Sequence, residues 1–194
     1  MDRGTIFQLA CRSIGNYDYK EDAATLDACD MWFGHVMRFA NAYYDWGFCA
    51  KRATLKKPSL YSPAGRYLYR LPAGFLKVKD VRTASGECKV RNPEMMAEGL
   101  TVGEDGRDGI VLDYQCDLVA AGGEIPDHNP QFCEAVVCLL ASKIAPTLTG
   151  DARLAQALDE RGRSMLGQAI AHDKQQDWSN AKAPSCSILK TSML

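Results

Sequence analysis

The sequence predicts an α+β fold: mainly an α-helical bundle of four helices, with an inserted small antiparallel β-domain and an extended C-terminal tail. Three observations lead there. Apolar residues recur at helical spacing over the first 47 residues and again from Phe132 to Ile170. Between Phe48 and about Leu118 the spacing drops towards two, punctuated by Gly86 and by Asp105-Gly106 and Asp108-Gly109. Beyond Gln175 neither period persists. The expected division is therefore 1–47 and 125–177 for the bundle, 48–124 for the β-domain and 178–194 for a C-terminal arm.

The elements follow in order. Ile6, Leu9, Ala10 and Ile14 mark a short helix over residues 3–15, which Gly15 ends. A longer helix starts near Glu21 or Asp22 and stops at Gly47. Its apolar stripe is Leu26, Cys29, Trp32, Phe33, Val36, Met37, Ala40 and Tyr43/Tyr44, wide enough to meet more than one neighbour. Weak alternation predicts strands over 48–55, 67–71, 76–81 and 87–91. Leu100–Val102 and Ile110–Tyr114 read as a hairpin around the Asp-Gly turns. After a loop with two prolines, Asn129-Pro130 opens a third helix with Phe132, Ala135, Val136, Leu139, Leu140 and Ile144 on its apolar face. Pro146 is expected to end or kink it. Thr149-Gly150-Asp151 restarts the chain into a last helix carrying Leu154, Leu158, Met165, Leu166, Ala169 and Ile170.

Bulk properties narrow the function classes. The 194 residues are 46% hydrophobic and 24% charged, with net charge −1 and pI near 6.3. Such a balance gives no basic face for nucleic acid. No run approaches the roughly 18 apolar residues that span a bilayer, so no membrane partner is expected. The N-terminal apolar stretch is broken by Gln8 and Arg12, unlike a signal peptide, and the chain is expected in cytoplasm. The eight cysteines, at 11, 29, 49, 88, 116, 133, 138 and 186, form no Cys-x-x-Cys pair. They read as small core hydrophobes rather than as zinc ligands or disulfides.

Candidate chemistry is sparse. His35, His128 and His172 share no motif and no metal spacing. Asp127-His128 is a possible base and orienter, but no nucleophile elbow accompanies it. The carboxylate pairs Asp159/Glu160 and Glu104/Asp105 sit on a charged helix face and in a turn. No Walker loop occurs, and the strip Lys51-Arg52…Lys56-Lys57 is short. Tyr43, Tyr44, Trp46 and Phe48 suit the junction between bundle and sheet. No catalytic, cofactor-binding or metal-binding residue is assigned. The acid-free tail, with Trp178, Ile188, Leu189, Met193 and Leu194, reads as a segment that orders on a partner.

Several words in fixed order resemble one family. They are Ile14-Gly15, Trp46-Gly47-Phe48-Cys49-Ala50-Lys51 followed by Leu55, and the run from Tyr67 to Val78 (YLYRLPAGFLKV). Asp113-Tyr114, Asn129-Pro130-Gln131-Phe132-Cys133-Glu134-Ala135, Leu140-Ala141-Ser142-Lys143-Ile144-Ala145 and Leu148-Thr149-Gly150-Asp151 continue the order. The pattern, over roughly residues 3–177, is similar to the head–tail adaptors of short-tailed bacteriophages, also called tail tubular protein A or head-completion proteins. The resemblance implies a structural virion protein, assembled in the host cytoplasm, that forms a ring of about twelve copies. It further implies a bundle beneath the portal protein and a C-terminal arm, here Trp178, Ile188, Leu189, Met193 and Leu194, along the portal. The β part would face the tail nozzle protein, and viral DNA would pass through the lumen without specific binding. Some relatives are credited with cell-wall hydrolysis, so a virion-associated cell-wall hydrolase is the alternative; no motif carries that activity to a residue here.

Overall fold

A computed structural model describes residues 1–18, 20, 22–56, 58–61, 66–120 and 125–181, the side chains of 59–61 and 175–181 excepted. Four helices, α1 (Arg3–Ser13), α2 (Ala23–Tyr43), α3 (Pro130–Thr149) and α4 (Ala152–Ala181), surround a single continuous core. Local chemistry sets most of their ends. Asp2 accepts from the Thr5 amide and Asp22 from the Ala24 amide, satisfying amides that have no partner inside the helix. Asn129 caps α3 by accepting from Phe132, and Gly150, at φ 69°, closes it. Asp151 then accepts from the amides of Arg153 and Leu154 to open α4.

The third helix is the centre of the bundle. Twelve of its residues, from Phe132 to Ala145, are buried, and α1, α2 and α4 all pack on it. By length and composition α3 is apolar enough to cross a bilayer, which corrects the expectation that no segment approaches this. Its best window has mean hydropathy 1.5, and 67% of that window is buried within the protein. Pro146 does not end α3. It lies in the last turn, where it forfeits one ladder bond, while Ala145 beneath it is buried and Gly150 donates back to the Pro146 carbonyl. The fourth helix continues through Ala181, so the boundary drawn at 177/178 falls inside a helix.

The β region departs further from expectation. It forms two antiparallel sheets rather than one. In the first, β7 (Ile110–Cys116) is central, flanked by β1 (Ala50–Leu55) and β4 (Phe75–Thr83). The second has the order β2 (Ser59–Tyr61), β3 (Arg66–Tyr69), β6 (Gly99–Val102), β5 (Glu94–Met96). The predicted hairpin between 100–102 and 110–114 is therefore a crossing between sheets. Its Glu104–Gly106 segment is a 3-10 turn, and the Tyr69 hydroxyl donates to the Gly106 carbonyl at 2.6 Å to hold it. The expected strand over 87–91 is reduced to one bridge, Arg82 to Lys89. β5 and β6 make the tight hairpin instead. Gly99 is required there, because a Cβ would lie 2.2 Å from the Tyr69 carbonyl oxygen.

Candidate functional site

The segment joining bundle to sheets is held by buried side chains and by hydrogen bonds. The second helix ends at Tyr43, four residues before Gly47, and Tyr44 turns extended. Trp46 is fully buried and donates its indole N–H to the Ala40 carbonyl at 2.8 Å. Its ring stacks on Phe48 and meets Phe132 of α3 edge-on at 5.1 Å, and Tyr44 meets it edge-on at 5.2 Å. Gln115 on β7 donates to the carbonyls of Tyr44 and Trp46. Asn41 accepts from the Cys49 thiol and donates to Asp117. Tyr44, Trp46 and Phe48 thus fill the junction as expected; Tyr43 does not, being exposed beside Phe39.

Two grooves flank α4. One, about 620 Å³, lies between α1, α3 and α4, lined by Leu9, Cys133, Val137, Cys138 and Leu158 together with Arg12, Glu134 and Arg161. Arg161 and Glu134 form an ion pair there. The other, about 190 Å³, lies between α2, α3 and α4, where Trp32, Val36, Phe39 and Leu139 meet Lys143, Asp159 and Arg163. The Arg163 guanidinium sits over the Phe39 ring at 5.3 Å. Met31, Phe39 and Tyr43 on α2 are exposed large apolar side chains, Met31 to 62%.

The acid–base candidates are scattered among structural contacts. The His35 ring packs by Trp32 and the His128 ring meets Phe48 edge-on. The His172 Nδ1 is buried without a hydrogen bond among the described residues. Asp127 pairs with the amine of Met1. Glu104 accepts from the Tyr67 hydroxyl and Asp105 from the Arg91 amide. Asp159 pairs with Arg163 and Lys143, and Glu160 accepts from Gln156. Arg52 makes a two-pronged pair with Asp113. Among the described residues no three His, Cys, Asp or Glu side chains gather as a metal site.

No protein-family model matches this sequence, and no curated protein is significantly similar to it.

The tail residues Ile188, Leu189, Met193 and Leu194, with Cys186, Lys57 and Glu124, lie outside the described residues, as does the side chain of Trp178. Six cysteines (11, 29, 49, 116, 133 and 138) are buried and Cys88 is exposed. Burial pushes the Cys133 and Cys138 thiols up, which makes them poor nucleophiles. As grooves these surfaces had no sequence signal of their own. Trp32, Val36 and Tyr43 lay in the expected stripe of the second helix, whereas Met31 and Phe39 lay outside it.

Proposed function

We propose that this chain is a non-enzymatic head–tail adaptor of a short-tailed bacteriophage, a subunit of a ring between the portal and the tail nozzle. The observation that carries the reading is the pair of apolar-lined grooves on either side of α4, with Met31, Phe39 and Tyr43 exposed on the neighbouring α2. Opposed apolar flanks on one subunit suit head-to-tail contacts, which close into a ring when the rotation permits. The resembling words also fall at architectural points. Trp46–Lys51 forms the joint, Tyr67–Val78 spans β3 and the start of β4, and Leu148–Asp151 is the turn between α3 and α4. In this reading Trp178, Ile188, Leu189, Met193 and Leu194 belong to an arm that binds the portal, and the particle is the site of action.

The test is size measurement of the purified chain with and without portal protein. Ring-sized species, or co-migration with portal that weakens when residues 182–194 are deleted, are expected. A monomer that never joins the portal would overturn the proposal. Zymography on cell-wall material separates the hydrolase alternative: clear lysis lost in one of Glu124→Gln, Asp127→Asn or His128→Ala would favour it.

A further inference from the structure

Cys11 on α1 and Cys29 on α2 bring their sulfur atoms to 3.7 Å, one thiol donating to the other, and neither residue has measurable exposure. Other buried thiols find oxygen partners: Cys49 donates to Asn41 and Cys133 to the Pro126 carbonyl. The two helices are held together around the sulfurs by the Phe7–Phe33 edge contact and the Arg3–Asp30 ion pair. Both contacts lie on the Arg3 side of the cysteines; on the other side the Asn16 side-chain amide donates to the Thr25 hydroxyl at 3.2 Å.

We propose that Cys11 and Cys29 form a reversible disulfide that staples α1 to α2 when the protein meets a small-molecule disulfide such as oxidised glutathione. A disulfide sets its sulfurs about 2.05 Å apart, so the pair must close by about 1.7 Å. The hydrogen bond from Cys29 lowers the Cys11 thiol below its ordinary value, which makes Cys11 the first nucleophile. Its thiolate attacks one sulfur of the small disulfide, whose S–S bond breaks and releases a thiolate that takes up the Cys11 proton. Cys29 then attacks the Cys11 sulfur of the mixed disulfide, and the second small thiolate leaves with the Cys29 proton. Two electrons and two protons pass from the protein pair to the small disulfide. The oxidant gains access when α1 opens locally, since a helix of 11 residues is marginal without its packing. None of this depends on the adaptor reading.

The experiment incubates the full chain with oxidised glutathione, quenches with acid, and maps non-reduced tryptic peptides. Peptides 4–12 and 21–38 are expected to be joined, with the loss of two hydrogen atoms. The thermal midpoint should rise by about 5–10 °C. Both effects should vanish in Cys11→Ser and in Cys29→Ser. Recovery of the two peptides unmodified, as glutathione adducts, or in other disulfides would overturn the proposal. If the serine variants fold poorly, the wild-type peptide map alone decides.

Discussion

Asp173 on α4 accepts a hydrogen bond from the backbone amide of Gly47, 3.1 Å away and 126 positions earlier in the chain. The bond ties the last helix to the turn where helix gives way to sheet. Asp173 is only 4% exposed, so loss of the acceptor is poorly replaced by water.

Replacing that acceptor is the first prediction. Asp173→Ala should destabilise the chain by about 2 kcal/mol, because the Gly47 amide is left unpaired. Asp173→Asn keeps an oxygen acceptor and should lose clearly less. Urea unfolding of the two variants measures the difference; equal, negligible losses would show that the joint does not rest on this bond.

Trp46 combines packing with one hydrogen bond, and the two contributions separate by substitution. Trp46→Ala should cost about 3–5 kcal/mol, since it empties the space between α3 and the sheet. Trp46→Phe retains most of the packing and should cost about 1–2 kcal/mol, chiefly for the carbonyl of Ala40. Thermal and urea unfolding report both.

Two glycines five positions apart on α4 should respond with opposite sign to alanine. A Cβ at Gly162 would meet the Leu139 side chain of α3 at 2.8 Å and its amide nitrogen at 3.2 Å, a close approach of the two helices. Gly162→Ala is expected to destabilise by about 1–3 kcal/mol despite the better helix former. Gly167 faces open space, and Gly167→Ala should stabilise by up to about 1 kcal/mol. Midpoints moving in the same direction would contradict this account of the α3–α4 contact.

On the acid side, Asp113 and Asp80 should set part of the slope. Hydrogen bonding and charge from Arg52 hold Asp113 below the usual carboxylate range, and Arg82, then Lys89, do the same for Asp80. A depressed folded-state value means the stabilisation is complete above the unfolded value, about 3.9, and disappears as pH falls through the lower folded one. Stability should therefore drop as pH falls from about 5 to about 2, and less steeply in Arg52→Ala. The difference between variant and parent should be small, because Arg52 is mostly exposed and solvent screens the pair. Unfolding curves at acid and neutral pH make the comparison; identical slopes would show that this pair contributes nothing.

Much of the fold was legible locally. Asp22, Asn129-Pro130 and Asp151 each act within one helical turn, so the starts of α2, α3 and α4 could be placed nearly to the residue, whereas α3 runs three residues past Pro146 to Thr149. The joint was also legible, because Trp46 and Phe48 are large, adjacent to a glycine and set where the period changes. Tyr43 was not separable from Tyr44, since one residue of helix decides whether the ring faces the core or solvent. The short strands β2 and β5 have three residues each, too few for alternation to register. The two grooves left no trace, because each is made by helices whose facing residues lie far apart in sequence.

The sequence by itself determined that this is an α+β protein with helices on both sides of a β insert, where its helices begin, and that most of its cysteines are buried. Only the tertiary structure decided that the insert is two sheets, that α3 is the central helix and passes through Pro146, and that Cys11 touches Cys29. The division has one physical cause. Caps and periodicity are short-range interactions written into neighbouring residues, whereas sheet partners and helix faces are chosen by burial among residues that can lie 126 positions apart or more.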